Sequence, residues 1–309
     1  MHGLCPNDFT MIGGGTNCGK SRFLMNVLSY LVCHENQKVC LLSNEMTEDD
    51  FYKSLICSIV NMPDIQDLHG KKLRLEQSEI VQSRFVDNNG CLMERQQNES
   101  VEEFESRLLS ESSIYRDYSA VLQWFQENYH DSFYFVNVSD NYSIERLKAE
   151  IRKAKRLGCK VIAYDTLKSY QSSEWGDFVQ TATGLSECIK SDPDGLHGIA
   201  TFQLTDDAAQ CAPKDLGSNK IANAKHIMHV ADNMIMFMHL DNQQANSYLI
   251  KDSSGAENAI VQSIKIAAFK IVKNRRGGGK DTLYAVQNNL HLNFWKEVGM
   301  LIPNKKTLR

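Results

Sequence analysis

The chain has 309 residues, of which 42% are hydrophobic and 23% are charged, and its formal net charge is −4. This composition describes a folded globular protein of one large or two small domains, in which any contact with nucleic acid must be local. The sequence contains no run of about 18 apolar residues and no signal-peptide pattern, so we expect a cytoplasmic protein without membrane association. Nine scattered cysteines without a CxxC pair argue against a disulfide framework and against a zinc site.

Apolar runs typical of buried strands recur along the chain and alternate with helical patterns. The predicted strands are residues 9–12, 38–43, 133–138, 160–164, 198–204 and 233–239. The clearest helices are residues 20–33 and 143–157, the second opened by Ser143 as a cap. Strands that are apolar throughout and alternate with helices predict an α/β fold with a mostly parallel central sheet covered on both faces.

Two segments depart from this alternation. Residues 63–131 are rich in Glu, Gln, Asn and Ser, with helical stretches at 101–109 and 114–129, and we interpret them as a helical insertion within one domain. This insertion either binds a partner or is a helical addition to the fold without a binding role. Near the end, "SIKIAAFKIVKN" and "TLYAVQNNLHLNFW" flank the turn "RRGGGKD", which predicts an antiparallel hairpin added to the sheet.

The strongest motif follows the first strand and fits G-x-x-x-x-G-K-[ST], a phosphate-binding loop between a strand and a helix. Its residues are Gly14, Gly15, Thr16, Asn17, Cys18, Gly19, Lys20 and Ser21, to which we add Arg22 on the helix. Glycines let backbone N–H groups point into one concavity, Lys20 reaches the β- and γ-phosphates, and Ser21 offers a hydroxyl to Mg²⁺. The motif therefore predicts a site for a nucleoside triphosphate.

Hydrolysis also needs a carboxylate near Mg²⁺ and a group that activates or positions water. "KVIAYD" places Asp165 just past an apolar strand, which suits a metal-binding carboxylate, although it could instead cap the following turn. "KVCLLSNEM" places Glu45 after the strand that follows the phosphate-loop helix, at the end of the sheet where ligands bind. Alternatively, Glu45 is a solvated residue of a turn. "GIATFQL" carries Gln203, whose amide could contact the γ-phosphate.

Together these segments resemble the RecA-like motor domain of DnaB-type replicative DNA helicases, including phage and mobile-element members. "GLCPNDFTMIGGGTNCGKSRFLMNV" is similar to that family's first strand and phosphate loop, and "LLSNEMTEDDF" to its Ser-x-Glu-Met segment. "VIAYDTL", "ATFQL", "VADNMIMF" and "KIVKNRRGG" are similar to its Walker B strand, its Gln-bearing strand, its Ala-Asp strand and its Lys-x-Arg hairpin. The resemblance covers most of the chain outside residues 63–131.

The resemblance implies roles for individual residues. Glu45 would be the catalytic base, Asp165 with Ser21 would hold Mg²⁺, and Gln203 would sense the γ-phosphate. Lys273 and Arg275 would reach the ATP of a neighbouring subunit. It also implies ATP and Mg²⁺ as cofactors, single-stranded DNA as a partner, a hexameric ring, and a helicase loader or primase as further partners.

Several features depart from the family pattern. The sequence begins at the motor domain itself, so we expect no family-type N-terminal domain, which puts the hexamer in question. Asp206 and Asp207 stand after Gln203 where the family tends to carry Asn and Arg. The segment matching its DNA-binding loop reads "DLGSNKIANAKH", in which Lys220 and Lys225 are the available cations for DNA, or else part of a solvated loop.

Two functions from different classes are compatible with this sequence. The first is an ATPase that drives translocation on single-stranded DNA and unwinding, as in DnaB-like helicases. The second is a RecA- or KaiC-like ATPase that acts as an assembly or regulatory protein without strand separation. A module that binds nucleotide without hydrolysis is disfavoured because Lys20, Ser21, Glu45 and Asp165 are all present.

Overall fold

The computed structural model describes residues 4–139, 143–167, 176–205, 207–208, 211–221 and 224–305, without the side chains of 176–177 and 224–226. The strands are β1 (Phe9–Gly14), β2 (Val39–Ser43), β3 (Phe133–Asn137), β4 (Val161–Leu167), β5 (His197–Gln203), β6 (Asn233–His239), β7 (Tyr248–Lys251), β8 (Glu257–Ala259), β9 (Ile266–Asn274), β10 (Leu283–Asn289) and β11 (Phe294–Pro303). The helices are α1 (Lys20–Cys33), α2 (Glu48–Asn61), α3 (Pro63–His69), α4 (Gln77–Val81), α5 (Val101–Glu111), α6 (Ser113–Tyr129), α7 (Ile144–Arg156), α8 (Gly176–Lys190), α9 (Ala224–Val230) and α10 (Asn242–Asn246).

All these strands form one sheet in the order β3-β2-β4-β5-β1-β6-β9-β10-β11-β7-β8. The pairs from β3 to β6 are parallel, and those from β6 onward to β9, β10, β11, β7 and β8 are antiparallel. The predicted α/β fold with a mostly parallel sheet and a C-terminal antiparallel hairpin is therefore confirmed. The hairpin is β9–β10, and β11 extends it by one more antiparallel strand.

Both faces of the parallel strands are buried, because side chains that alternate along each strand enter two different hydrophobic clusters. Met11 of β1 packs with α7 and α8 on one face, whereas Ile12 packs with α1 and α2 on the other. The same alternation explains why these strands read as continuous apolar runs in the sequence.

Residues 63–131 fold into α3 to α6 and pack on the face that carries α1 and α2. Leu108 of α5 and Phe125 of α6 join the cluster that contains Leu24 of α1 and Phe51 of α2. The segment thus shares a core with the helices that follow β1 and β2. Among the described helices, none is both long and apolar enough to cross a membrane.

Candidate functional site

The phosphate-binding motif forms a tight turn between β1 and α1. Gly19 caps α1 with a left-handed φ of 88°, and a Cβ atom on it would lie 2.6 Å from the side chain of Leu290. Both facts favour glycine at this position. No side chain caps α1, and its first turn holds no acidic residue. The first N–H groups of α1 can therefore bind an anion, which the helix dipole also favours.

The side chains of this loop are arranged for binding rather than for covalent chemistry. The Lys20 ammonium donates to the Gly15 carbonyl at 2.8 Å and so lies folded over the loop. Burial raises the pKa of the Cys18 thiol to about 11, so this thiol stays neutral and is not a nucleophile. The Cys18 carbonyl accepts a hydrogen bond from His239 Nε2 at 2.9 Å, which fixes the loop from β6.

Asp165 is a fully buried carboxylate beside this loop. Its Oδ1 accepts a hydrogen bond from the Thr201 hydroxyl of β5, and its Oδ2 has no partner within the described part of the chain. Burial raises the pKa of Asp165 and the nearby Glu45 raises it further, whereas the hydrogen bond from Thr201, the nearby Ser21 hydroxyl and the charge of Lys20 lower it. A buried carboxylate oxygen without a donor fits a site for a cation.

The position of Asp165 corrects the sequence-based expectation that it lies just past its strand. β4 continues through Asp165 to Leu167. The reason is that the Asn44 side chain bonds both backbone groups of Thr166, accepting from its N–H and donating to its carbonyl, each at 2.9 Å. Asn44 thus takes the place of a neighbouring strand, because β2 ends at Ser43, which pairs with Asp165.

Glu45 and Gln203 come to the same edge from the strands on either side of β4. Glu45 is exposed two residues after β2 and shares a cavity of about 730 Å³ with Lys20 and Ser21. Gln203 ends β5 opposite Gly14 and donates from Nε2 to the Thr16 hydroxyl of the phosphate loop at 2.6 Å. The carboxyl ends of four adjacent strands, β2, β4, β5 and β1, therefore carry the predicted site residues, and we name this place the carboxyl-end edge.

Other residues of this cavity were not predicted from the sequence. They are Arg74, Ser263, Ile264, Lys265, Gln287, Asn288, Asn289, Leu290 and His291. Arg22, which was predicted, donates to the Leu290 carbonyl. Most of these residues come from β10 and the turn after it, and no local motif marks them. Thr201 was also missed, although a threonine within an otherwise apolar strand is a signal that could have drawn attention to it.

Lys273 and Arg275 lie at the opposite end of the sheet, which we name the amino-end edge. Lys273 Nζ donates to the carbonyls of Met228 and Ala231, each at 2.5 Å, and burial lowers its pKa. Arg275 Nη1 donates to Asp232 Oδ1 at 2.7 Å. β1 spans Phe9 to Gly14, so this edge is about 16 Å from the phosphate loop at about 3.3 Å per residue. Neither cation therefore reaches the loop of its own chain.

The predicted DNA-binding lysines are only partly described. Lys220 has 14% of its side chain exposed and forms an ion pair with Asp207 at 2.5 Å. Lys225 lies in α9, and its side chain is outside the described residues. Asp206 is outside them as well. The structure thus shows one of the two cations already neutralised by a neighbouring carboxylate.

Comparison with known proteins agrees with this architecture. The model of the DnaB-like helicase C-terminal domain matches residues 1–109, which contain the phosphate loop and Glu45. Over these residues the chain is similar to that helicase domain, as the resemblance predicted. Beyond residue 109 the likeness is one of fold. No curated protein sequence matches the chain.

Two solved structures share the fold over nearly the whole chain. The first, an ATPase domain, is 14% identical with a TM-score of 0.64, and the alignment covers 95% of this chain and 84% of that one. The second, a DnaB-like replicative helicase solved in a study of its interactions with primase, is 13% identical with a TM-score of 0.62. There the alignment covers 94% of this chain and 57% of that protein, so the chain spans little more than half of it.

Proposed function

We propose that this chain binds ATP with Mg²⁺ at the carboxyl-end edge and hydrolyses it, and that hydrolysis drives translocation on single-stranded DNA and duplex unwinding. The observation that carries the proposal is the convergence of the phosphate loop, Asp165, Glu45 and Gln203 at the ends of adjacent strands. Phosphoryl transfer to water requires a loop that binds the phosphates, a carboxylate that binds Mg²⁺, and groups that orient and activate the water.

Binding of the nucleotide would use groups already in place. The free N–H groups of α1 would hold phosphate oxygens, and Lys20 would leave the Gly15 carbonyl for the β- and γ-phosphates. Ser21 and Asp165 would hold Mg²⁺, and the unpaired Asp165 Oδ2 supports this assignment. When bound, Mg²⁺ supplies positive charge to the phosphate oxygens.

Glu45 would orient the attacking water and accept its proton. It is exposed in the cavity that Lys20 and Ser21 also line, so water reaches its carboxylate. Gln203 donates to Thr16 of the loop, which supports a role for its amide beside the phosphates of a bound nucleotide. Glu45 lies two residues past the end of β2 and Gln203 is the last residue of β5, so their positions are set by the sheet rather than by long loops.

We further propose that the active site is shared between subunits of a ring. Arg275 and Lys273 are about 16 Å from their own phosphate loop, whereas the hairpin that carries them has an exposed tip. Arg275 is 66% exposed despite its bond to Asp232, so its guanidinium is accessible to a second molecule. A loader or primase would be a further partner of such a ring.

The proposal is tested by measuring ATP turnover with and without single-stranded DNA, together with native mass in both conditions. We expect DNA to stimulate turnover and ATP to favour a higher-order assembly. Replacing Lys220 and Lys225 with Ala should weaken DNA binding and reduce its salt dependence, by about 0.7 in the log–log slope for each phosphate that is no longer neutralised. DNA-free turnover should not change, and an equal loss of it would assign the lysines to the fold instead.

One observation favours the second function, an assembly or regulatory ATPase without strand separation. The ion pair of Lys220 with Asp207 reduces the positive charge available to a DNA backbone. Turnover that is indifferent to DNA, in a chain that still assembles with ATP, would establish that function in place of the helicase.

A further inference from the structure

The segment between α3 and α4, residues 70–76, brings a cation from the helical insertion to the candidate ATP site. Arg74 lines the same cavity as Lys20, Ser21 and Glu45. It is exposed, and it belongs to residues 63–131, which neither the phosphate-loop motif nor the other site motifs include. One residue of the cavity lining therefore comes from the insertion.

The backbone on both sides of Arg74 is fixed by side-chain hydrogen bonds. Gln66 Nε2 donates to the Leu73 carbonyl at 2.6 Å. Asn61, at the end of α2, donates to the Leu75 carbonyl at 2.7 Å and accepts from the Leu75 N–H at 3.0 Å. Leu75 itself is buried. The segment has no regular secondary structure, and these bonds hold it in one conformation with Arg74 at the cavity.

The guanidinium of Arg74 differs in its surroundings from those of three arginines that form ion pairs. Arg107 is bonded to Glu99, Arg275 to Asp232 and Arg276 to Asp8. Within the described part of the chain, Arg74 has no hydrogen bond and no ion pair. An unpaired guanidinium on a fixed backbone, beside a loop built for phosphate, matches the forked geometry with which arginine binds phosphate oxygens.

We propose that Arg74 contacts the triphosphate of the nucleotide bound in its own chain, so that the helical insertion is part of the ATP site. This inference rests on the proposed ATP binding at the phosphate loop. It assigns Arg74 to the cis side of the site, whereas Arg275 is proposed to act from a neighbouring subunit. The helix α2 connects Glu45 with the segment that carries Arg74. It begins three residues after Glu45 and ends at Asn61, which bonds the backbone of Leu75.

The experiment compares Arg74→Ala with Lys72→Ala in the full chain. Lys72 is an exposed cation of the same segment that does not line the cavity, so it controls for net charge. Binding of ATP and of inorganic tripolyphosphate is measured by competition against a fluorescent ATP analogue. We expect Arg74→Ala to raise the Kd of both about 10-fold, as for loss of a hydrogen bond to a charged group, while Lys72→Ala changes neither. Arg74→Lys should fall between, because it keeps the charge and loses the fork.

The outcomes separate this inference from the proposed function. An effect of Arg74→Ala on ATP but not on tripolyphosphate would place the side chain at the base or ribose and overturn the inference. Unchanged affinities for both ligands would overturn it as well. In either case the proposed function would stand if the wild-type chain binds ATP and the Lys20→Ala variant does not. A wild-type chain that binds neither ligand would instead overturn the proposed function and the inference together. Thermal melting of each variant confirms that it is folded.

Discussion

The two ends of the parallel strands both concentrate charged residues, and they differ in how completely those charges are paired. At the amino-end edge, Asp232 accepts hydrogen bonds from Arg275 and from the Phe9 N–H, and Asp8 accepts from Arg276. At the carboxyl-end edge, among the residues that the structure describes, Asp165 Oδ2 has no partner and Lys20 donates to one loop carbonyl.

We interpret the paired edge as one that holds the fold together and the other as the proposed ligand site. Buried polar atoms are nearly always hydrogen-bonded, so we interpret the unpaired Asp165 Oδ2 as a proposed ligand to a cation. The paired aspartates instead bind β1 to β6 and to the hairpin. Arg275 is intermediate, because its guanidinium is paired with Asp232 and is still 66% exposed. Four variants test this contrast.

The broadest effect is expected for Lys20→Ala, which removes the mobile cation of the phosphate loop and should therefore reduce both nucleotide binding and the turnover that depends on it. ATP binding at micromolar nucleotide should be lost, with a rise in Kd of roughly 100-fold, the upper range for a hydrogen bond to a charged group. Titration calorimetry measures this, and Lys53→Ala is the control because Lys53 pairs with Asp49 on the surface of α2. Undiminished binding in Lys20→Ala would contradict the assignment of the carboxyl-end edge as the ligand site.

Glu45→Gln keeps the shape of the side chain and removes its basicity. ATP should bind normally, while turnover falls by a factor on the order of 10² to 10⁴, the range for loss of a general base. The matched control is Glu48→Gln, an exposed glutamate in the first turn of α2. If the two variants turn over ATP equally well, Glu45 is a surface residue and another carboxylate must be the base.

Arg275→Ala tests whether the amino-end edge serves another subunit. Nucleotide should bind nearly normally, and turnover should fall on the order of 10³-fold if the arginine acts on the transition state. Arg276→Ala is the control, because it also breaks a bond to a buried aspartate, Asp8, and should keep most turnover.

Mixing Arg275→Ala subunits with Glu45→Gln subunits then distinguishes trans from cis action. Some interfaces of the mixture pair an intact Glu45 with an intact Arg275, so turnover should recover in part where native mass spectrometry shows mixed assembly. Mixed assemblies that stay inactive would argue against the trans role and leave Arg275 as a structural or DNA-facing cation.

The smallest effect is expected for Asp232→Asn, which should destabilise the fold by about 2 kcal/mol through loss of charged hydrogen bonds. Asp281→Asn is the control and should cost less than about 0.5 kcal/mol, because Asp281 is 65% exposed and lies 3.4 Å from Lys270. Urea unfolding at pH 7 measures both differences. A loss no larger than that of the control would show that this edge does not hold the fold together.

The Asp232 effect should also depend on pH. Burial raises the pKa of this carboxyl, but the Phe9 N–H, Arg275 and Lys190 together lower it below its ordinary value of 3.8. A lowered folded-state pKa gives a contribution that is complete above pH 3.8 and is lost as pH falls below it. The stability difference between wild type and Asp232→Asn should therefore be smaller at pH 3 than at pH 7, and an unchanged difference would assign it to packing.

The sequence predicted the parallel strands well because each is a run of apolar residues closed by polar ones. β6 and α1 have the predicted bounds, and β3 differs by one residue at its end. These elements are buried on one or both faces, so local hydrophobicity reports their extent. The strands β7 and β8 were missed, because they are short, and β8 is exposed throughout.

The site divides in the same way between local and long-range information. The phosphate loop, Glu45 and Gln203 each begin at the last residue of a strand or within two residues of it, so their neighbourhood could be predicted from strand order. The position of Arg74 could not be predicted in this way. It lies in an irregular segment whose backbone is held by hydrogen bonds from Asn61 and Gln66. The roles assigned to these residues stay predictions until the variants above are measured.

The packing of the phosphate loop against the end of the chain has a consequence for synthesis. Gly19 lies under Leu290, and Arg22 bonds the Leu290 carbonyl 268 positions later. A ribosome that has made the first third of the chain has made the whole motif but none of the residues that seat it. At a translation rate of about 5 to 20 residues per second, Leu290 is added on the order of 10 to 60 s after the loop. We therefore expect nucleotide affinity to arise late in translation, in nascent chains long enough to expose β10 and β11.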